Sequence, residues 1–379
     1  MLGMHISIPA FGFQSDPHPA DAAKAILRSF DTYRVVALGD VHGLQQEQSF
    51  IQSLIRNPEF SNKVKAIVVE CGNALYQEII DRYVAGQDVP ISAVRQAWRN
   101  TTQSPYGPWD AIEYQQLFTS VREVNRRLPP NQRLRVIAGD PPIEWDKIQH
   151  RTDADTFLNQ RDSFFASAVE RALQAGHKVL VIAGVGHVLK AQPRPADAFK
   201  KEKAQEVERG RPRLMPPNLK SLDAAPALHA APGFRAGNVT ALLQEHFPNS
   251  VLVIVPHTGF GNSAPSSKGS NGTREDRLTT WPKPSLVLLK ATWLGTLGAG
   301  DIYPGVIGPD GQLQNPYAGL SAADLADAYL YLGPRGSLTW SQPSPGVLRD
   351  EAYLAELNRR ARIMFGQPFD PRRTSHRKQ

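Results

Sequence analysis

The sequence is short of cysteine, because Cys71 is the only one in 379 residues. A disulfide within the chain is therefore impossible, and we interpret Cys71 as a buried packing thiol. Apolar runs are short, and none is long enough to cross a membrane as a helix. The opening, MLGMHISIPAFGF, lacks the basic start and long apolar stretch of a signal peptide. The compartment is left open: the protein is cytoplasmic, or exported if a signal was removed.

Positive charge is present, but it is concentrated in two segments. The formal net charge is +7. Residues 190–235 contain ten Lys or Arg against five Asp or Glu, and residues 371–379 contain four Lys or Arg and no acid. These two excesses account for more than the whole net charge, so the rest of the chain is close to neutral. A basic stripe on a folded face is not predicted, and we expect no nucleic-acid partner.

Short apolar runs rich in Val, Ile and Leu recur along the chain. Such continuous runs are typical of strands that are covered on both faces of a parallel sheet. The predicted strands are Val35–Leu38, Ala66–Val69, Leu134–Ala138, Val179–Ala183, Val251–Val255 and Leu286–Leu289. Helical patterns lie between them. We therefore predict an α/β fold with a doubly wound, mostly parallel sheet and helices on both faces.

Amphipathic spacing marks the helices between these strands and near the end of the chain. The predicted helices are Ala74–Val84, Ile91–Arg99, Ala111–Arg127, Asp155–Ala175, Val239–His246, Ala322–Tyr331 and Glu351–Met364. We assign residues 1–379 to a single α/β domain whose core spans about residues 30–366.

Two stretches and the tail interrupt this alternation. Residues 190–235, rich in Pro and charge, are predicted to be an insertion, either a lid over the strand ends or a solvated surface segment. His257–Trp281 is predicted to be a loop, because SAPSSKGSNG at its centre is typical of a flexible segment. The basic tail, residues 371–379, is predicted to be disordered.

Ionisable residues follow five of the predicted strands in succession. The segment GDVHG places Asp40 and His42 after the first strand. The later ones are Glu70, Asp140, His187 and His257. One such residue is commonly a helix cap or a solvated turn, but the repetition on strand after strand is informative. Because the carboxyl ends of parallel strands share one edge, where open α/β sheets bind ligands, these groups could converge in one pocket.

The residue types at these strand ends suit hydrolysis. His42 can act as a general base near neutral pH, and Glu70 or Asp40 can orient its imidazole or share a metal with it. His187 could stabilise developing negative charge or transfer a second proton. These four residues also suit a divalent metal, although their spacing gives no tight ligand signature. The nucleophile elbow G-x-S-x-G is absent, so a serine-hydrolase triad has no anchor.

The order of these motifs resembles the superfamily of erythromycin esterases, ChaN-like haem-binding proteins and Tiki-type metalloproteases. GDVHG is similar to the superfamily's G-E-x-H motif after strand one, with Asp40 in place of Glu. Glu70 matches the glutamate after strand two, and His187 in AGVGHV matches the late histidine. Esterase members carry a further histidine three positions earlier, where this chain has Gly184, and this departure weakens any inference of macrolide hydrolysis.

Motifs in the helices extend the resemblance. A Trp, a Glu and an R-x-x-N helix of the superfamily match Trp109, Glu113 and Arg122–Asn125. A helix that opens with Arg and an acid matches Arg161–Ala166. From the resemblance and the strand ends together, the predicted substrate-binding residues are Asp140, Arg161, Asp162, His257 and Trp109.

The resemblance implies a hydrolase-like pocket for a small-molecule substrate, with His42 similar to the family's general base and Glu70 and His187 beside it. The superfamily includes esterases, metal-dependent peptidases and haem carriers. An esterase- or metallopeptidase-like hydrolase is the leading interpretation, with a divalent metal or haem as candidate cofactors. The alternative is a haem or small-ligand binding protein. Its candidate axial ligands are Tyr76, Tyr83, Tyr106 and Tyr114. The oligomeric state is left open.

GDVHG is also the opening motif of calcineurin-like metallophosphatases, in which an Asp and a His bind a two-metal centre. Those enzymes next need G-D-x-x-D and then G-N-H-D/E. Here Cys71–Ala74 (CGNA) lacks the His, Gly139–Pro142 (GDPP) lacks the second Asp, and the order is reversed. The metallophosphatase is therefore the less favoured interpretation.

Overall fold

One mostly parallel sheet forms the centre of the structure, a computed structural model that describes residues 15–193, 237–260, 270–303, 305–307 and 313–371. Eight strands build this sheet, and two more form a separate hairpin. In chain order the strands are β1 (Ala20–Asp21), β2 (Val35–Asp40), β3 (Ala66–Asn73), β4 (Arg135–Asp140), β5 (Val179–Gly184), β6 (Val251–Pro256), β7 (Ser285–Leu288), β8 (Val306–Ile307), β9 (Leu313–Gln314) and β10 (Ala328–Tyr331). The prediction of an α/β fold is confirmed.

The strands of the sheet lie in the order β1, β7, β10, β6, β2, β5, β3, β4. From β10 to β4 all neighbours pair in parallel. At the other edge, β7 pairs antiparallel with both β10 and β1. Residues of β2 alternate between two hydrophobic cores, with Val36 and Leu38 in one and Val35 and Ala37 in the other. Both faces of the strand are therefore buried, which explains its continuous apolar sequence.

Helices cover both faces of the sheet. The α-helices of the described residues are α1 (Ala22–Ser29), α2 (Gln45–Arg56), α3 (Phe60–Lys63), α4 (Gln77–Val84), α5 (Ile91–Arg99), α6 (Ile112–Asn125), α7 (Arg151–Asn159), α8 (Arg161–Gln174), α9 (Val185–Val188), α10 (Val239–His246), α11 (Ser270–Leu278), α12 (Ala299–Ile302), α13 (Ala322–Leu325) and α14 (Glu351–Phe365). In this part of the chain, none of them has both the length and the apolar character to cross a membrane.

The prediction of one helix over Ala322–Tyr331 is wrong. The helix ends at Leu325, Ala326 adopts an extended conformation, and Ala328–Tyr331 forms strand β10 between β6 and β7. A short apolar run such as AYLY fits a buried strand as well as a helix, so periodicity alone could not separate the two. Pairing with neighbours on both sides decides the outcome.

Other boundaries also differ from the predictions. The predicted helix Asp155–Ala175 is two helices, α7 and α8, which meet at Gln160. The predicted loop His257–Trp281 contains α11. Most of the predicted insertion, from residue 194 onwards, and residues 372–379 of the predicted disordered tail lie outside the described residues, so the lid and the disorder stay predictions.

Candidate functional site

The carboxyl edge of the sheet brings five of the six predicted strand-end residues together, all except His257. Asp40, the last residue of β2, lies opposite Gly184 at the end of β5. Asp140, the last residue of β4, lies opposite Asn73 of β3. The register between β3 and β4 shifts after Val69, immediately before Glu70. Parallel pairing thus places side chains that are far apart in sequence at one edge.

Asp40 holds the imidazole of His42. Its Oδ2 lies 3.1 Å from His42 Nδ1, while its Oδ1 accepts a hydrogen bond from Gln48 Nε2 at 2.8 Å. Tyr114 donates its hydroxyl to Asp40 Oδ2 at 3.2 Å and accepts the backbone N–H of Gly43 at 2.9 Å. The carboxylate is therefore fixed from several directions, and it fixes the ring that it contacts.

The pKa of His42 is raised above its usual value of 6.5. Burial, the largest effect, lowers it, but the hydrogen bond to Asp40 and the negative charges of Asp40 and Glu70 together outweigh burial and the opposing charge of His187. His42 Nε2 lies 3.8 Å from Glu70 Oε2, which is longer than a hydrogen bond. The His42 side chain is 25 % exposed, so the ring is partly open to solvent.

Glu70 is the buried carboxylate at the centre of the cluster. Its Oε2 accepts the backbone N–H of Gly184 at 2.6 Å, and its Oε1 accepts hydrogen bonds from Gln103 and Arg161. His187 Nε2 lies 3.3 Å from the same Oε1. Burial raises the pKa of Glu70, but His187, His42 and Arg161 together hold it well below its usual value. Glu70 is therefore ionised at neutral pH.

His187 is the second histidine of the cluster, in the short helix α9 that follows β5. Its Nδ1 contacts Asp162 Oδ1 at the start of α8, and its Nε2 faces Glu70. Burial lowers its pKa, but the charges and hydrogen bonds of Glu70 and Asp162 raise it to about 10. His187 is therefore an imidazolium at neutral pH, beside the permanently charged guanidinium of Arg161.

Asp140 completes the polar wall of the cluster. Both of its oxygens accept hydrogen bonds from Thr102, and Arg161 Nε lies 3.9 Å from Oδ1. Burial is the main reason that its pKa rises to about 7. Asp140, Arg161, Glu70 and His187 line a small cavity of about 10 Å³, which has room for about one water molecule.

Two of the predicted substrate-binding residues, Trp109 and His257, lie outside the polar wall around Glu70. Trp109 is 2 % exposed and lies edge-on against the His42 ring, with centroids 4.6 Å apart, so it supports that ring from the protein side. His257 belongs to a separate buried cluster at the end of β6, where it contacts Tyr329 at 2.6 Å and Glu275 at 3.0 Å. Substrate contact stays a prediction for both residues.

Several residues of the site escaped the sequence reasoning. Gln48 and Tyr114 hold Asp40, whereas Thr102 and Gln103 bind Asp140 and Glu70. The polar start of α2 could have indicated Gln48, because a polar side chain in the first turns after a strand end can turn towards that edge. Thr102 and Gln103 lie in the connection after α5, and no motif marks them.

The described residues do not fit a resident metal ion. Among them, no group of three or more His, Cys, Asp or Glu is arranged to hold one. The guanidinium of Arg161 forms an ion pair with the Glu70 carboxylate, and its positive charge would repel a divalent cation there.

The candidate haem ligands are also engaged elsewhere. Tyr114 bonds Asp40, Tyr76 accepts from Asn100 at 2.8 Å, and Tyr83 contacts Thr119 at 3.3 Å. The Tyr106 ring stacks on Phe369, and its hydroxyl accepts the N–H of Asp370. Each tyrosine would lose a contact if it became an axial ligand, so these residues do not form a ready haem site.

No protein-family model matches the chain, and no curated protein matches it in sequence. A solved structure from Bacillus cereus has a TM-score of 0.56 and 12% identity, covering 87% of this chain and 97% of that one. A succinoglycan biosynthesis protein has a TM-score of 0.49 and 12% identity, covering 88% and 97%. A mutant erythromycin esterase, EreC, in its open conformation has a TM-score of 0.44 and 11% identity, covering 85% and 94%. The likeness to the Bacillus cereus structure is one of fold.

Proposed function

We propose that the chain is a hydrolase in which His42 is the general base. One observation carries the proposal: Asp40 fixes Nδ1 of His42 at 3.1 Å, while Nε2 faces Glu70 at 3.8 Å and has no hydrogen-bond partner among the residues that the structure describes. A carboxylate that orients an imidazole through one ring nitrogen, and so leaves the other available to take a proton, is the arrangement that general-base catalysis requires.

The two histidines would have different roles, because their surroundings differ. His42, whose pKa is raised above 6.5, can accept a proton from water once its ring is neutral. His187, with its pKa of about 10, stays protonated. Together with Arg161 it supplies positive charge for the negative charge that develops on a substrate oxygen. Glu70 and Asp162 hold these two cations in place. We propose a small ester or amide as the substrate class, since both form such an oxyanion.

The test is a panel of ester, peptide and phosphate substrates, assayed with and without a chelator. His42→Ala should lower kcat by about 10²–10⁴-fold, the contribution of a well-placed base. His18→Ala is the matched control, because His18 is exposed and lies outside the cluster. Folding of both variants is checked by circular dichroism. Equal turnover by His42→Ala and wild type would remove His42 from the mechanism.

The same panel separates the alternatives. Loss of activity with chelator and its return with Mn²⁺ or Zn²⁺ would replace the metal-free mechanism by a metal-assisted one. Turnover of phosphate esters alone would favour a metallophosphatase. If wild type turns over nothing but gains a Soret band in stoichiometric haem titration, the hydrolase proposal fails and the carrier takes its place.

A further inference from the structure

The segment directly after helix α5, residues 100–104, carries two side chains of the candidate site, and we call it the α5 connection. Thr102 donates its backbone N–H to Asp140 Oδ2 at 2.8 Å and its hydroxyl to Oδ1. Gln103 donates its side-chain amide to Glu70 Oε1. The α5 connection consists of turns and bends, so the geometry of these contacts depends on what holds it in place.

One buried arginine of helix α14, Arg360, contacts both ends of the α5 connection. Its Nη1 donates to Arg99 O and to Ser104 Oγ, each at 3.0 Å, and its Nη2 donates to Asn100 Oδ1 at 2.7 Å. These acceptors lie on either side of the two site residues in the chain. A guanidinium presents several donors in one rigid plane, so a single side chain can hold all three acceptors at once.

Arg360 is 4 % exposed and is fixed from its other side as well. Its Nε donates to Glu356 Oε1 at 2.6 Å, and its guanidinium lies 4.9 Å from the centre of the Trp145 ring. Trp145 in turn donates its indole N–H to Thr101 O at 3.1 Å, inside the α5 connection. Arg360 therefore binds the ends of this segment directly and contacts the residue that binds its middle.

We propose that Arg360 is a positioning residue of the candidate site: it holds the α5 connection where Thr102 and Gln103 reach the site carboxylates. This role rests on the proposed hydrolase function and deepens it, but its effect on the site can be measured without turnover. A buried arginine also stabilises the helix that carries it through its ion pair, and removal of one partner is destabilising. The test therefore needs a readout that a loss of stability alone does not change.

The pKa of Asp140 reports whether Thr102 is in place. Burial and the charge of Glu70 raise this pKa, whereas Arg161 and the hydrogen bonds from Thr102 lower it, and the result is about 7. A hydrogen bond donated to a carboxylate favours its ionised form, so displacement of Thr102 should raise the pKa further. A purely structural role of Arg360 would lower the free energy of unfolding and leave the pKa of Asp140 at about 7.

The test is a carbon-13 NMR titration of the aspartate carboxyl groups in the full chain, in which the loss of one signal in Asp140→Asn assigns Asp140. Arg360→Met removes the charge and the donors and should raise the pKa of Asp140 by about one pH unit or more. Thr102→Val removes the hydroxyl bond directly and should shift the pKa in the same direction. The double variant should add little to Arg360→Met, because Arg360 acts through Thr102.

Arg359→Met is the matched control on the same helix. In the described part of the chain, the hydrogen bonds of Arg359 go to Glu356, Trp145 O and Ile148 O, and not to the α5 connection. Its replacement should lower the free energy of unfolding and leave the pKa of Asp140 unchanged. If Arg360→Met does not fold, Arg360→Lys replaces it, since a single ammonium keeps a cation beside Glu356 but lacks the fork of donors. The pKa of Asp140 should again rise.

The activity assay separates this proposal from the proposed function. For a substrate that wild type turns over, kcat/KM should fall by about 10–100-fold in Arg360→Met, because small displacements of reacting groups are costly. If wild type turns over nothing but the pKa of Asp140 rises in Arg360→Met alone, the hydrolase proposal fails and the positioning of Thr102 by Arg360 stands. A pKa that stays at about 7 in every folded variant of Arg360, or that rises equally in Arg359→Met, overturns the positioning role.

Discussion

The imidazole of His42 lies between the carboxylates of Asp40 and Glu70, and its raised pKa predicts how activity changes with pH. Only the neutral ring accepts a proton, so kcat/KM should rise with pH through an apparent pKa above 6.5. Asp40→Asn removes the charge but leaves a group that can accept the hydrogen bond from Nδ1. The rising limb should then move to lower pH, as a pH–rate profile of both proteins would reveal.

Asp140 provides the control for that experiment, because its pKa of about 7 falls in the same pH range. If Asp140 were responsible for the rising limb, Asp140→Asn would abolish the limb, and Asp40→Asn would leave its midpoint in place. A limb that moves in Asp40→Asn and persists in Asp140→Asn assigns the titration to His42. The reverse pattern contradicts the role of His42 as base.

Residue identities at the site were predictable where a strand leads directly to them or, for Arg161 and Asp162, where a helix motif of the resemblance marks them. His42, Glu70 and His187 follow buried apolar runs, so their position was visible in the sequence. Gln103 is 33 residues from the carboxylate that it binds, and only the folded connection brings the two together. Contacts of this kind depend on the path of a loop, which composition and periodicity do not encode.

Gly184 is the point where strand β5 meets the candidate site, and it allows His42 and Glu70 to approach the backbone. A Cβ at this position would lie 3.1 Å from His42 Nε2 and 3.2 Å from Glu70 Oε2. Its φ of −45° is accessible to alanine, so Gly184→Ala would crowd these two groups without straining the backbone. We expect kcat/KM to fall by about 10–100-fold, because small displacements of reacting groups are costly.

Gly336→Ala is the matched control for that substitution. Gly336 has no atom within 4 Å of the added methyl group, and its φ is not in the left-handed region. Its replacement should leave kcat/KM unchanged. Equal kcat/KM for Gly184→Ala and Gly336→Ala would mean that close packing of His42 and Glu70 against Gly184 is not needed for activity.

At the scale of elements, the predictions worked where burial on both faces gives a strand a continuous apolar sequence. The runs that contain β2, β3, β5 and β6 were found in this way. Strand β10 was missed, although it lies inside the same sheet. It is four residues long and begins only two residues after α13, and those residues, Ala326 and Asp327, include no glycine or proline that would mark a boundary between helix and strand.

The whole molecule concentrates opposite charges at one edge of its sheet. Strands β2, β3 and β5 each end near Glu70, and α8 brings Arg161 and Asp162 from another direction. Such a cluster is stable only when each charge has its partners, because an unpaired buried charge is expensive. The pH dependence of folding should therefore report on the site.

His187 provides the most specific case. Its pKa is about 10 in the folded chain and near 6.5 when unfolded, so between these values the native state binds the extra proton. Its contribution to stability is complete below pH 6.5 and is lost as the pH rises towards 10. His187→Gln should remove this component, whose slope is at most about 1.4 kcal/mol per pH unit and smaller with solvent screening. Urea unfolding at each pH from 6 to 10 gives the free energy of unfolding of wild type and of His187→Gln. If the two plots of this free energy against pH are parallel, His187 does not hold the extra proton.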